Sequence, residues 1–210
     1  MTKALQPSWA PLVGNPNSGK TAIFNLLTGL NQKVSNYPGV TVEKKTGKVR
    51  FADGSQFDLL DLPGTYSLTP ESMDERIVTE QVLHWLHSHE SPVVIVSVVD
   101  ATNMSRNFYL TSQLADLGIP VVVALNMMDL VKDDLHIDLE KLSKELGVAA
   151  IVPMSATEKW GQKELLDAVQ KSMSVESKDK AFPIFLNNDI SLILNPLEDF
   201  FKSELGYNDR

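Results

Sequence analysis

Residues 14–21, Gly14-Asn15-Pro16-Asn17-Ser18-Gly19-Lys20-Thr21, satisfy the pattern G-x-x-x-x-G-K-[ST] at every fixed position. Glycines at those places let the backbone curl until successive N–H groups converge on a phosphate. The lysine adds a point charge, and the terminal hydroxyl suits a magnesium ion. Lys20 and Thr21 take the last two roles, and Ala22 stands in the first turn of the helix expected beyond. Asp61-Leu62-Pro63-Gly64 closes a later strand-like run. An aspartate there holds magnesium through water, and the Gly64 N–H reaches a terminal phosphate and so registers its presence. Asp, Pro and Gly are also ordinary turn residues, and only their place after a phosphate loop favours the functional reading. Asn126-Met127-Met128-Asp129 has the spacing N-x-x-D. A carboxylate accepts two hydrogen bonds from the N1–H and N2–H groups of guanine, a pair of donors that adenine lacks. Ser155-Ala156-Thr157 offers backbone N–H groups to the guanine O6, although Ser-Ala is too common a pairing to carry weight alone.

These residues need strands that deliver them to one edge. Apolar runs alternate with helical patterns along the chain, the signature of a mostly parallel sheet covered on both faces. Residues 9–13 form a short apolar run ahead of the phosphate loop, and Ile23, Phe24, Leu27 and Leu30 follow at helical spacing. Pro11 is out of place in a central strand, because proline removes a ladder donor. The polar segment 31–42 reads as a loop, and runs 45–52 and 56–61 flank Asp53-Gly54, a hairpin signal. Val78, Val82, Trp85 and Leu86 mark a helix, 93–99 a buried strand, and Leu110, Leu114 and Leu117 a helix. Strand 121–125, a helix through Leu139, Leu142 and Leu146, strand 149–152 and a helix through Leu165, Val169 and Met173 complete the alternation. The expected fold is α/β with a six- or seven-stranded sheet. Residues 1–173 form the main domain, 174–182 a polar linker, and 183–210 an amphipathic helical extension that must pack on something else.

Composition narrows the partners. The chain has 210 residues and a net charge of −8 with both signs interspersed, so no basic field points to nucleic acid or an anionic membrane surface. With no cysteine there are no disulfides, thiolate metal sites or cysteine nucleophiles. The N-terminus lacks a signal-peptide stretch, and the longest apolar runs are too short to cross a bilayer. The expectation is a soluble fragment without direct membrane insertion, and nothing in the pattern specifies an oligomeric state.

The motifs, in this order and at these strand ends, match the GTPase superclass of phosphate-loop proteins. Within it the chain resembles the cytoplasmic G domain of the bacterial ferrous iron transport protein B family. The resemblance rests on the phosphate loop, on Asn36-Tyr37-Pro38-Gly39-Val40-Thr41-Val42-Glu43, on Asp61-Leu62-Pro63-Gly64-Thr65-Tyr66-Ser67-Leu68 and on Asn126-Met127-Met128-Asp129. It spans residues 11–173, with a looser continuation. It implies a three-layer GTPase sandwich that binds GTP and GDP with Mg2+, hydrolyses GTP slowly with K+ stimulation, and serves a membrane permease domain of the same full-length protein. That places it on the cytoplasmic face of the inner membrane. Thr41 becomes the first-switch threonine that joins the magnesium shell of Thr21 and Asp61, with Gly39 and Val40 lining the nucleotide. Asn17 becomes a potassium ligand, helped by the backbone carbonyls of Ser35 and Tyr37. Lys20, Thr41 and Asn17 carry catalysis.

Thr65 stands where many small GTPases place a water-orienting glutamine, which also fits a nucleotide-responsive binding module with incidental hydrolysis. The phosphate loop also admits an ATPase of another class, and the GTPase motifs a ribosome- or tRNA-associated enzyme. Glu71, Asp74 and Glu75 read as solvated loop acids, not bases. Glu80, His84 and His87 share one helix face, where a solvated polar surface is the plainer reading than a metal site.

Overall fold

Successive strand residues face opposite sides of a sheet, and here that alternation divides the apolar residues between two cores. Of the strand Trp9–Gly14 (β1), Leu12 enters one core with Leu59, Val96 and Val122, while Val13 enters the other with Leu60, Ile95 and Val123. The structure is a computed structural model and describes residues 8–37, 40–70, 72–87, 91–131 and 137–174, with the side chains of Asp74 and His87 also outside that description. Gly39, Glu71 and the predicted linker and helical extension beyond Ser174 therefore lie outside the described residues.

The remaining strands are Gln32–Asn36 (β2), Glu43–Arg50 (β3), Gln56–Asp61 (β4), Ile95–Asp100 (β5), Val121–Asn126 (β6) and Ala150–Pro153 (β7). They form one seven-stranded sheet in the order β2-β3-β4-β1-β5-β6-β7, antiparallel at β2-β3-β4 and parallel from β4 onward. Helices Lys20–Thr28 (α1) and Gln162–Ser174 (α5) cover one face through Ile23, Phe24, Leu27, Leu165 and Val169. Helices Met73–His87 (α2), Met104–Ala115 (α3) and Leu139–Glu145 (α4) cover the other through Val78, Val82, Trp85, Phe108, Leu114 and Leu142. The result is the three-layer sandwich expected. Trp85, 1% exposed, packs edge-on against Trp9 with ring centroids 5.5 Å apart, so a single aromatic pair binds α2 to the start of β1. Helix α1 stops where Gly29 adopts φ 61° and returns its N–H to the Asn25 carbonyl, a left-handed cap open to glycine at little steric cost.

Two expectations change. Segment 31–42 is not all loop. Gln32–Asn36 is an edge strand paired with β3 from Gln32↔Gly47 to Asn36↔Glu43, and all five of its residues are exposed. With neither face buried it carries no alternation to read. Pro11 also finds its explanation. The carbonyls of Ser8 and Leu12 accept from Asp58 and Leu62 of the β4 side, whereas that of Trp9 accepts from Val93 on the β5 side. Pro11, two residues after Trp9, turns its nitrogen toward β5, ahead of the first β1-β5 pair, Leu12↔Val96. The donor it lacks is therefore lost between the Val93–Trp9 bond and the first β1-β5 pair, and the ladder to β4 is left complete.

Candidate functional site

Chain order reverses direction across the sheet at β1, since β4 lies on one side of it and β5 on the other. The carboxyl end of such a strand opens a crevice suited to ligands. β1 ends at Gly14, and the loop after it turns through Asn17 at φ 66° and Gly19 at φ 86° before α1 starts at Lys20. Gly19 is obligatory here: a Cβ would collide with the Asn126 amide. Asn15 and Ser18 are buried, whereas Asn17 and Thr21 are exposed. Lys20 Nζ lies 3.8 Å from Asp61 Oδ1, an ion pair longer than a hydrogen bond, with only 12% and 10% of the two side chains exposed. Burial pushes Lys20 below the ordinary lysine range, partly offset by Asp61, and pushes Asp61 above the ordinary carboxylate range, partly offset by Lys20 and then Lys45. Both charges are thus short of counter-charge, the condition that a phosphate at Lys20 and a divalent cation at Asp61 would relieve.

The polar inventory says the same. Among the described residues, the buried side-chain atoms lacking a hydrogen-bond partner are Asn15 Nδ2 and Oδ1, Ser18 Oγ, Tyr37 OH and Asp61 Oδ1. All belong to the phosphate loop, the end of β4 or, for Tyr37, the position just after β2. An orphaned buried polar atom costs about 1–3 kcal/mol, so their gathering at one strand edge marks a place built for a polar ligand. The residues present suit a magnesium-bound nucleotide.

The segment 62–68 is tied down at both ends. Leu62 N–H donates to the Leu12 carbonyl at 3.1 Å and Thr65 N–H to the Gly14 carbonyl at 3.2 Å, which lays 62–65 along the phosphate loop. Gly64 lies against Pro16 so closely that a Cβ would sit 3.1 Å from three Pro16 atoms. Thr65 is fully buried, and its hydroxyl donates to the Ser67 carbonyl at 2.6 Å, so this side chain is not placed to orient water. Glu75 corrects the reading of the loop acids as solvated: it is 9% exposed and its carboxylate accepts from Tyr66 N–H at 3.2 Å. Leu68 is gripped from two helices, its N–H donating to Gln113 Oε1 of α3 at 2.8 Å and its carbonyl accepting from the Thr79 hydroxyl of α2 at 3.1 Å. The Arg106 guanidinium lies 4.1 Å from the Tyr66 ring centre. Replacing Gln113 by leucine should leave the Leu68 amide unpaired, at about 1 kcal/mol, and speed its hydrogen exchange about fivefold. Unchanged exchange at Leu68 would show that α3 does not hold this segment.

At the far end of the crevice Asn126, 3% exposed, joins two loops. Its Nδ2 donates to the Ser18 carbonyl and its Oδ1 accepts from Ala156 N–H, each at 3.0 Å. Both ends of this amide are committed to protein, so its part in the site is to hold the phosphate loop against the 155–160 turn. The Ala156 N–H expected to face guanine O6 is thus already committed to Asn126 Oδ1, and Thr157 beside it is exposed. Ser155 and Trp160 close the turn through reciprocal backbone bonds of 3.2 Å. Met127 at φ 63° bends the chain into a 3-10 turn, Met128–Leu130, which presents Asp129 to solvent.

Of the segment expected to form a first switch, Ser35 lies in β2 and Thr41 is exposed. Tyr37 is 4% exposed; a buried side chain there left no local signal in the sequence, nor did the contacts of Gln113 and Glu75. Glu80 pairs with Arg76 at 3.8 Å. Among the described residues no group of three or more His, Asp or Glu is placed to hold a metal ion, and no helix is long and apolar enough to cross a membrane.

Comparison with known proteins matches this geometry to a family. The family model described as "Ferrous iron transport protein B" matches residues 9–169. The chain is 47% identical over 161 residues to the Fe(2+) transporter FeoB of Salmonella typhimurium, an alignment covering 76% of this chain and 20% of that protein. It is 43% identical over 182 residues to the Escherichia coli K12 transporter, covering 85% and 23%. The chain thus spans about a fifth of the length of the curated relatives it matches. Among solved structures, the cytosolic domain of L. pneumophila FeoB superposes with a TM-score of 0.71 at 41% identity, covering 96% of this chain and 82% of that one. A GDP-bound single-residue variant of the S. thermophilus FeoB G-domain gives 0.70 at 43% identity, covering 84% and 65%. Matched along most of its described length in both sequence and fold, the chain belongs to the ferrous iron transport protein B family and carries its phosphate-loop GTPase domain.

Proposed function

We propose that this chain binds GTP and GDP with Mg2+, hydrolyses GTP slowly with K+ stimulation, and through its switch segments regulates ferrous iron passage by a permease domain of a longer protein at the cytoplasmic face of the inner membrane. The observation that carries the reading is the convergence of orphaned buried polar atoms and the under-compensated Lys20–Asp61 pair at the carboxyl ends of β1 and β4. Solved relatives are described as GDP-bound, which supports the same ligand here. In this reading Gly14 to Ala22 cradle the phosphates, with Lys20 bridging to the terminal one. Thr21, Asp61 and, once the first switch closes, Thr41 hold the magnesium ion, which when bound neutralises charge on the phosphates. Asp129 reads the guanine edge. Met127 and Asn126 hold that reading loop in place, and Leu62 and Pro63 carry Gly64 to the phosphates. Asn17, with the Ser35 and Tyr37 carbonyls, holds the monovalent cation, which supplies charge that an arginine finger supplies elsewhere.

Single-turnover GTP hydrolysis in potassium against sodium tests this. The expected result is roughly tenfold faster turnover in potassium, abolished in Asn17→Ala. The burial of Thr65 favours one second reading, a nucleotide-responsive binding module in which hydrolysis is incidental; tight GTP binding without turnover in potassium would select it. Membership of the family weighs against an ATPase and against a ribosome- or tRNA-associated GTPase.

A further inference from the structure

Arg106 has no part in the roles above. It stands exposed on α3, and among the described residues it forms no ion pair. What its guanidinium meets is the face of Tyr66, 4.1 Å from the ring centre. That ring is 37% exposed, so burial alone does not fix it. Arg106, Tyr109 and Gln113 follow at i, i+3 and i+7, which sets them on one stripe of the helix. Gln113 Nε2 donates to the Tyr109 hydroxyl at 3.3 Å, while its Oε1 accepts from Leu68 N–H. The helix behind this stripe is firmly seated, with Phe108, Leu110 and Leu114 buried in the core.

In the other direction Tyr66 leads to the phosphates. Thr65, its chain neighbour, donates its N–H to the Gly14 carbonyl at 3.2 Å, and Gly64 lies against Pro16. Two residues therefore separate a ring clasped by α3 from a glycine set on the phosphate loop, across planar peptides with only two soft dihedrals per residue. Gly64 has no side chain to hold it in that place, so its neighbours must. A planar guanidinium stacked on an aromatic face is well suited to this, because it gives up little freedom for the contact it makes. We propose that Arg106 is a positioning residue for the terminal phosphate: stacked on Tyr66, it keeps Gly64 against the phosphate loop and so raises the preference of the site for GTP over GDP. The proposal rests on the reading above in which Gly64 N–H meets the terminal phosphate.

The test compares the affinities of fluorescent GDP and fluorescent β,γ-imido-GTP, both with Mg2+, in Arg106→Gln, Tyr66→Leu, the double variant and Tyr66→Phe. Arg106 and Tyr66 border an open cavity of about 360 Å³ with Ser67, Glu75 and Tyr109, so truncation faces solvent and leaves no sealed void in the core. Each of the first two variants should bind the triphosphate about three- to fivefold more weakly, the worth of one exposed cation–π contact, with GDP affinity within about 1.5-fold of wild type. The double variant should lose no more than either alone, since both remove the same contact, and Tyr66→Phe, which keeps the ring, should keep the wild-type ratio. Equal losses for the two nucleotides, or none, would make the stack a stabiliser of the fold and overturn the proposal. A raised preference for the triphosphate would overturn it as well, because the stack would then hold Gly64 back. So would a loss in Arg106→Gln without one in Tyr66→Leu, which would assign the effect to the guanidinium charge. Gly64→Ala in the same assay separates the proposal from the reading beneath it. If that variant leaves the ratio unmoved, the reading fails and the proposal with it; if it lowers the ratio while the stack variants do not, the proposal alone fails.

Discussion

Asp129→Asn is expected to weaken GTP binding about a thousandfold, as two charge-assisted hydrogen bonds are lost and one donor is turned against another, about 4 kcal/mol together. The carboxylate is an acceptor at both oxygens, and guanine presents N1–H and N2–H to it. Asparagine presents one acceptor and one amino group, so one of the guanine donors meets a donor. The geometry makes this substitution unusually clean. Asp129 lies exposed in the 3-10 turn after β6, and that turn is set by backbone: Met127 at φ 63°, Leu130 N–H on the Met127 carbonyl at 3.0 Å, and Met128 N–H on the Met154 carbonyl at 3.3 Å. None of these bonds uses the Asp129 side chain, so folding should be unaffected. A base carrying a carbonyl in place of the guanine amino group, xanthine, offers the new amide an acceptor, and its triphosphate should gain what GTP loses. Competition of GTP, ATP and xanthosine triphosphate for the wild-type and variant chains measures it. An unchanged order of preference would remove Asp129 from base recognition.

Much of this site was legible because its chemistry is local. The phosphate loop, Asp61-Leu62-Pro63-Gly64 and Asn126-Met127-Met128-Asp129 are short strings whose residue types point to one ligand class, and the apolar runs before them state that strands deliver them, as β1, β4 and β6 do. The sheet hairpin was legible for the same reason: Gly54 adopts φ 85° and the Asp53 carboxylate accepts from Ser55 N–H at 2.9 Å, all within one turn. What escaped depends on distance along the chain. Strand β2 has no buried face, and only its pairing with β3 makes it a strand. Asn126 reads as part of a base-recognition motif, yet its bonds run to Ser18 and Ala156, 108 and 30 residues away. Glu75 sits among polar loop residues and gives no hint that Tyr66 N–H will reach it. Tyr37 looks like one more switch residue until the fold buries its ring. Each of these is a tertiary contact of a polar or amphipathic side chain, for which periodicity carries no signal.

Asn126→Ala should be the most damaging change that touches no ligand. The amide bonds a carbonyl of the phosphate loop and an N–H of the 155–160 turn, each at 3.0 Å, in surroundings where Ser18 is 1% and Ala156 9% exposed. Removing it leaves a buried acceptor and a buried donor unpaired, at about 3 kcal/mol for the two. Part of that cost is escaped if the loops move apart to reach water, and then it reappears as lost nucleotide affinity, because Lys20 and Asp129 are carried by the two sides of this contact. The expected outcome is a lowered unfolding temperature together with GDP dissociation at least about tenfold faster. Asn126→Asp separates the two halves of the staple: it keeps an acceptor for Ala156 N–H but sets a carboxylate against the Ser18 carbonyl. A buried, unpaired charge is costlier than a missing amide, so this variant should be no more stable than the alanine one and should disturb the phosphate end more than the base end. Wild-type stability and GDP release in Asn126→Ala would mean that the phosphate loop holds its shape without the base-recognition strand, and that the two ends of the site are independent.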